Sequence, residues 1–406
     1  MTGGETALTR TFISGASIVT RDAVLEDSCL VLDGASIVDI IPAAAVRPGT
    51  GSRHVVLDAQ ALVVPGFVDV HVHGVCGVDV LDDSDAVARV AAALPQFGVT
   101  GFCPTSVACP PELLAPFLDG VSHAIRDRAQ ASARVLPAHL ESNFINPDFR
   151  GAQPAECLCT LHGRTASFSG ADIIEVVDAR PGAVGIVTLA PELDGGLDLV
   201  RRFAGAGIDV SLGHTGATYE EANAAFDAGA SRATHLFSAM RPFRHRDPGA
   251  VTAALIRQDV AVEVICDGVH AHPAAVSLAL AATHGSGFLA ITDGTAASGL
   301  PHGARSRLGR RVVTALDAAR YDDGTLAGSV ATMDRVFRML VRQCSCDLPT
   351  AARLTATNPC RDRRLARTGI LEPGFAADLV VLSPDLHVES TWIAGTRVWQ
   401  RPAASA

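Results

Sequence analysis

The sequence predicts an α/β fold: a parallel (β/α)8 barrel of the TIM type joined to a small β-sandwich domain formed from both chain termini. Three observations carry this. Between residue 60 and about residue 300, eight apolar, β-branched runs of strand length alternate with longer Ala/Leu-rich segments of helical spacing. Outside that stretch, residues 11–59 and 369–400 carry short strand-like runs broken by Gly, Asp and Pro. No glycine-rich dinucleotide fingerprint follows the first run, which favours a closed barrel over an open doubly wound sheet.

In chain order the eight runs are LVVPGFVDVHVH, VTGFCPTS, RVLPAHLE, AVGIVTLAPE, GIDVSLGHT, RATHLFSAM, VAVEVICDGVH and GFLAITDGT. Helices are predicted at SDAVARVAAALPQFG, LDLVRRFAGAG and TYEEANAAFDAGA. The last has Thr218 as N-cap, Glu221 at capping-box spacing and Gly229 at its end. ATMDRVFRMLVRQ and LPTAARLTATNP read as helical segments leading from the barrel back to the small domain. On this reading residues 1–62 and 366–406 make the small β-domain and residues 63–365 the barrel.

Composition narrows the function classes. The chain has 406 residues, 48% of them hydrophobic and 19% charged, enough for one large domain and a small one. A formal net charge of -10 argues against nucleic-acid binding, which needs a basic face. All 33 basic residues are Arg and none is Lys, which excludes Schiff-base chemistry, a phosphate-loop lysine and a carboxylated-lysine metal bridge. The 10 Cys make no C-x-x-C pair and read as reduced thiols. Neither a signal-peptide core nor a run of about 18 apolar residues is present, so no membrane partner and a cytoplasmic location are expected.

In barrels of this type the C-terminal ends of the strands form the active face. The residues at those ends are His71 and His73, Thr105, Glu141, Glu192, His214, His235, Asp267 with His270, and Asp293. Imidazole and carboxylate converging from rigid elements suit a divalent cation with one position open to water. His71 and His73, two apart, fall on one side of a strand, while Glu141, His214 and His235 arrive from the third, fifth and sixth runs. Asp293 ends the eighth run, where a carboxylate beside a metal site can accept a proton and later return it.

Other features are less specific. RPFRHRDPG, after the sixth run, offers guanidinium groups to a small anion or simply a solvated loop. LAGS, residues 326–329, is a short Gly turn able to present backbone N–H groups. His123, His162, His284 and His387 lie away from strand ends and read as surface or packing residues.

VVPGFVDVHVHG, HLESNFINP, VTLAPE, the long block GHTGATYEEANAAFDAGASRATHLFSAMRP, DGVHAHP, TDGTAASGLP, DGTLAGS and GFAADLVVL resemble, in order and through nearly the whole chain, the N-acetylglucosamine-6-phosphate deacetylase family of the amidohydrolase superfamily. The resemblance implies a metal-dependent barrel with a small β-domain, usually a homodimer. It implies Glu141, His214 and His235 as ligands of the main metal, His71 and His73 as a second site used by some members, and Asp293 as general base and acid. Zinc is the first choice of ion, one or two per subunit, with manganese, cobalt or iron as alternatives. The substrate would be a small N-acylated molecule, an amino sugar or its phosphate. Arg246 and His270 would meet the phosphate, in part from a neighbouring subunit, with Ala152, Gln153, Ser238, Ala239, Leu326, Ala327 and Gly328 lining the pocket. The implied chemistry is hydrolysis of an acetamide.

The departures from the family pattern fall in the pocket. Ser142 and Asn143 replace Gly-Pro after the metal Glu, Gln153 stands where the family has His, Ser238 replaces Asn, and TDAM has become TDGT. Gln donates a hydrogen bond but cannot become a cation, and Ser reaches less far than Asn. The readings that follow are a deacylase of the family's own substrate, a divergent amidohydrolase acting on another N-acyl compound, and a catalytically silent binding barrel.

Overall fold

The computed structural model describes residues 10–47, 49 and 51–403. Eight parallel strands form a nearly closed barrel: β1 (Phe67–Val72), β2 (Val99–Ser106), β3 (Ala138–Glu141), β4 (Val184–Leu189), β5 (Asp209–Leu212), β6 (Ala230–Ala233), β7 (Ala261–Ile265) and β8 (Phe288–Ile291). The seam between β8 and β1 is closed by a parallel bridge from Val72 to Gly294. It is reinforced by the Thr292 hydroxyl, which donates to Asp69 at 2.5 Å. Register keeps the strand tops level: Thr105 pairs with His139, Glu141 with Thr188, and Ile265 with Ile291.

The strands read as apolar runs because they are buried on both faces. Val187, Val210 and Val264 share one apolar cluster with Leu199, Phe203 and Val276 from the surrounding helices. Pro137 divides the third run, leaving Arg134–Val135 as a separate short strand beside β2, since Pro has no N–H to give a ladder. The helix predicted from Thr218 spans Tyr219–Asp227 with both capping-box bonds present, and Gly229 follows it at φ +119.

Two further sheets flank the barrel. A six-stranded sheet runs Thr396–Gln400, Val388–Ile393, Leu379–Leu382, Leu62–Pro65, Ser17–Val19, Val24–Leu25. Its central pair, Leu62–Pro65 against antiparallel Leu379–Leu382, joins the two ends of the chain. A four-stranded sheet runs Ser36–Pro42, Ser28–Asp33, Thr11–Ser14, Arg53–Val56. The two share a core of Ile18, Leu30, Leu32, Val63, Leu379 and Trp392, giving the expected sandwich. The assigned small domain also included residues 1–9 and 404–406, which lie outside the described residues.

One sheet was not foreseen. Arg305–Leu308, Arg311–Ala315 and Ala319–Arg320 form a three-stranded antiparallel unit after β8. Its inner residues Leu308, Val313 and Tyr321 pack with Val107 and Ala327 beside the top of the barrel. No helix among the described residues is long and apolar enough to cross a membrane.

Candidate active site

The site residues leave the strands in a repeated way. β5, β6 and β8 end at Leu212, Ala233 and Ile291, and in each case the chemically active residue is the second one beyond: His214, His235 and Asp293. All three have left-handed backbone, at φ 47, 29 and 51. That region is disfavoured for side chains bearing a Cβ and is tolerated where surrounding structure enforces it. Here it turns each side chain off the strand and over the barrel mouth. Glu141 is instead the last residue of β3, His71 lies within β1, and His73 directly follows it.

These side chains converge. Glu141 Oε1 lies 2.8 Å from His235 Nε2 and 3.1 Å from His214 Nε2, and those two nitrogens are 3.1 Å apart. On the other side, His71 Nε2 and His73 Nε2 are 3.3 Å apart. They stand 3.6 Å from Glu141 Oε1 and 3.5 Å from Glu141 Oε2, respectively. Asp293 Oδ1 is 3.3 Å from His71 Nε2 and 3.2 Å from His73 Nε2. The two ligand groups, Glu141/His214/His235 and His71/His73/Glu141, therefore share one carboxylate.

The outward ring nitrogens explain what the inward ones can do. Nδ1 of His214 faces the Phe149 carbonyl at 2.9 Å, and Nδ1 of His73 faces the Thr105 carbonyl at 2.9 Å. A carbonyl only accepts, so each Nδ1 carries a proton and Nε2 is the atom turned inward, offering its lone pair whenever it holds no proton of its own. His71 Nδ1 likewise faces a carboxylate oxygen of Glu263 at 3.0 Å. Lone pairs pointed at one another need a positive charge between them. Ligands about 2.0–2.1 Å from one tetrahedral zinc stand roughly 3.3 Å apart, close to the spacings here, so the residues fit a divalent cation.

The local field agrees. Burial works against charge on His73 and His235, but the Asp293 and Glu141 carboxylates outweigh it and push both imidazoles up to about 9. Burial also opposes ionisation of Glu141 and Asp293, and the surrounding imidazoles still hold both below the usual carboxylate range. The cluster selects positive charge, supplied by protons or by a metal ion that displaces them.

Behind the cluster lies a buried ionic chain that sequence reading missed. Glu263, fully buried in β7, accepts from Arg232 Nη2 at 2.5 Å and from His71 Nδ1. Arg232 also pairs with Asp362 at the other end of the barrel. His139, beside His71, donates from Nδ1 to the Val70 carbonyl and accepts at Nε2 from the Thr188 hydroxyl, and burial pushes its pKa down to about 3, so it stays neutral. The available signal was a lone charge inside an apolar run: Glu263 in VAVEVICD and Asp69 in FVDVHV.

A cavity of about 270 Å³ opens over the cluster, lined by His73, Glu141, His214, His235 and Asp293 together with Gly151, Ala152, Gln153, Ser238, Ala239, Ile265, His270, Leu308, Leu326 and Gly328. Most residues singled out from the sequence thus meet in one place. Three do not line it: His71 is buried in the cluster beneath, Ala327 is buried beneath the lining, and Arg246 is exposed on the loop after β6, outside the cavity wall. His270 is held by Asp267, whose carboxylate lies 2.6 Å from Nδ1 and also accepts the His270 N–H at 2.8 Å. Glu192 serves structure, accepting from the Thr215 hydroxyl, the Gly216 N–H and Asn146. Ser329 donates its N–H to the Asp293 carbonyl, and a Cβ at Gly328 would meet Thr295 at 2.7 Å and the Asp293 carbonyl at 3.2 Å, so the LAGS turn backs the Asp293 loop. Leu308, from the unforeseen sheet, is a lining residue the sequence did not suggest.

The chain matches the amidohydrolase family model over residues 62–398. It belongs to the amidohydrolase family. Among relatives, it is 39% identical over 360 residues to an N-acetylglucosamine-6-phosphate deacetylase of Rattus norvegicus, covering 84% of this chain and 85% of that one. It is 33% identical over 340 residues to an N-acetylgalactosamine-6-phosphate deacetylase of Escherichia coli O157:H7, covering 83% and 88%. The N-acetyl-D-glucosamine-6-phosphate deacetylase of Mycobacterium smegmatis, in a mutant form solved with N-acetyl-D-glucosamine-6-phosphate, superposes with a TM-score of 0.85 at 33% identity, over 96% of this chain and 99% of that one. The barrel with its terminal β-sandwich, expected from the sequence, is the architecture of this amidohydrolase.

Proposed function

We propose that this amidohydrolase removes the acetyl group from N-acetylglucosamine 6-phosphate, giving glucosamine 6-phosphate and acetate. The observation that carries the reading is the convergence of Glu141, His214, His235, His71 and His73 beside the Asp293 carboxylate at the floor of a sugar-sized cavity. Glu141, His214 and His235 would hold the main ion, zinc in the first instance, and His71 and His73 a second. A bound divalent cation supplies Lewis acidity, polarising a carbonyl and acidifying water. Asp293, ionised in the field of its imidazole neighbours, takes the proton from water at its Oδ1 and returns it to the departing amine nitrogen. His270, oriented through Asp267, presents Nε2 to the substrate.

The phosphate requires a cation, and among the described residues no guanidinium lines the cavity. Arg246, exposed beside the apolar Phe243, fits a role in which the loop closes over substrate or reaches a neighbouring subunit. A homodimer is supported by exposed apolar side chains: Phe243, Ile256 and Leu278 are 61%, 56% and 62% exposed, the last two on the helices Gly249–Ile256 and Pro273–Ala282. All 10 cysteines are free thiols, which suits the cytoplasm.

The test is acetate release from N-acetylglucosamine 6-phosphate by zinc-replete protein, with the 6-phosphate of N-acetylgalactosamine and unphosphorylated N-acetylglucosamine alongside. No acetate from either phosphate sinks the sugar-phosphate reading. A second reading, an N-acyl substrate without phosphate, is favoured by one observation, the cavity wall without a guanidinium. Turnover of the unphosphorylated sugar alone would select it.

A further inference from the structure

Gln153 stands apart from the rest of the cavity lining. It is only 4% exposed, and its side chain is already committed on both sides. Its Oε1 accepts the Ala108 N–H at 2.7 Å, and its Nε2 donates to Glu141 Oε2. The orientation of this amide is fixed by chemistry: a backbone N–H can only donate, so Oε1 must face Ala108 and the NH2 must face the carboxylate.

The surroundings are built to hold that span. Asn143 Nδ2 donates to the Cys109 carbonyl at 2.9 Å and to the Cys157 carbonyl at 2.7 Å, tying the segment that carries Ala108 to the one that carries Gln153. The Ser142 hydroxyl donates to the Thr188 carbonyl at 2.6 Å and accepts the Phe144 N–H at 3.1 Å, fixing the chain just past Glu141. The Ala152 carbonyl accepts from the Tyr321 hydroxyl at 3.1 Å. Ser142, Asn143 and Gln153, three of the positions where the sequence leaves the pattern it resembles, thus each fix chain around Glu141, and Gln153 bonds its carboxylate directly.

We propose that Gln153 is a positioning residue for Glu141: by holding Oε2 it turns Oε1 toward His214 and His235, and it does not read the substrate. This rests on the metal-site reading above. Glu141 Oε1, the atom that lies 2.8 and 3.1 Å from those two imidazoles, is the oxygen left free by the Gln153 contact. A donor to a ligating carboxylate fixes its rotation, and removal of such a partner typically weakens metal binding about 10–100-fold.

The experiment uses Gln153→Met, close in volume and without a donor, in the full-length protein. Zinc affinity is measured by chelator competition, and kcat and KM on N-acetylglucosamine 6-phosphate at saturating zinc. Zinc affinity about 10-fold or more weaker, with kcat lowered and KM within about twofold of the parent, is the expected result. Unchanged zinc affinity with a raised KM makes Gln153 a substrate reader and overturns the proposal. So does unchanged zinc affinity alone. If the Met variant does not fold, Gln153→Asn, whose amide is one methylene too short to span both partners, carries the same comparison. A parent enzyme that binds zinc but releases no acetate sinks the substrate reading and leaves the zinc comparison decisive.

Discussion

Replacing Glu263 by Gln probes the buried ionic chain behind the metal ligands. The substitution keeps volume and one acceptor but removes the charge that faces Arg232 Nη2 at 2.5 Å and His71 Nδ1 at 3.0 Å. In a medium of effective dielectric about 20, that first contact corresponds to roughly 7 kcal/mol of attraction before desolvation. Breaking a buried pair by removing one partner costs about 3–5 kcal/mol, and because Arg232 keeps Asp362 the lower end, about 3 kcal/mol, is expected. With about 2.1 cal/mol/K of unfolding entropy per residue over 406 residues, this lowers Tm by roughly 3–4 °C. Denaturant titration and thermal scanning of metal-stripped protein measure the stability change. Chelator competition measures a second effect, a zinc affinity about 10-fold lower because His71 loses its charged partner. The double variant Glu263→Leu/Arg232→Met should be more stable than Glu263→Gln, since the guanidinium left with Asp362 alone is gone from the core while Asp362 keeps its pair with Arg363 at 2.8 Å. A single variant within about 0.5 kcal/mol of the parent would refute the argument that this pair holds the barrel interior.

Other predictions follow from separate parts of the molecule. Asp293→Asn should lower kcat about 10²–10⁴-fold while zinc remains bound, measured by acetate release and metal content; activity within tenfold of the parent removes Asp293 as the proton carrier. Asp209 accepts from Arg364 at 2.8 and 2.9 Å and pairs with Arg363; burial opposes its ionisation, but the two guanidiniums hold it below the usual carboxylate range. Its contribution is therefore present above the unfolded value of about 3.9 and lost as pH falls through the lower folded value. Asp209→Asn should cost about 2–3 kcal/mol at pH 7, with the gap to the parent narrowing below about pH 4 in denaturant titrations. Leu278→Glu should shift sedimentation toward the monomer; an unchanged sedimentation coefficient, whether monomer or dimer, would move the subunit contact elsewhere.

The eight strands were legible because each is buried on both faces and so appears as a mainly apolar run, interrupted inside by Asp69, Arg232 and Glu263, with a polar residue where it meets the active face. His71, His73 and Glu141 could be placed from strand period and strand end alone. His214, His235 and Asp293 were found for their chemistry, but their geometry was hidden, because no Gly in those positions advertises the left-handed backbone that aims them. Glu263, Arg232 and Asp362 were missed since they lie far apart in the chain and meet only when β6 pairs with β7 and the Asn358–Asp362 helix packs on the barrel. The Arg305–Arg320 sheet was missed for the opposite reason. Its strands are partly exposed and Arg-rich, so hydrophobic periodicity gives no signal, and its fold depends on Val313 and Tyr321 finding the barrel top. Arg246 was picked for its charge, which says nothing about which way its loop points.

The pairing of Leu62–Pro65 with Leu379–Leu382 also sets a timetable for synthesis. The first of these strands leaves the ribosome about 300 residues ahead of its partner, an interval of roughly 15–60 s at 5–20 residues per second. Throughout that interval Val63 and Val64, fully buried in the finished protein, have no C-terminal strand to cover them. The whole barrel emerges meanwhile, so nascent chains halted before residue 379 should carry a formed barrel and an open, protease-sensitive N-terminal sheet that engages chaperones until translation finishes.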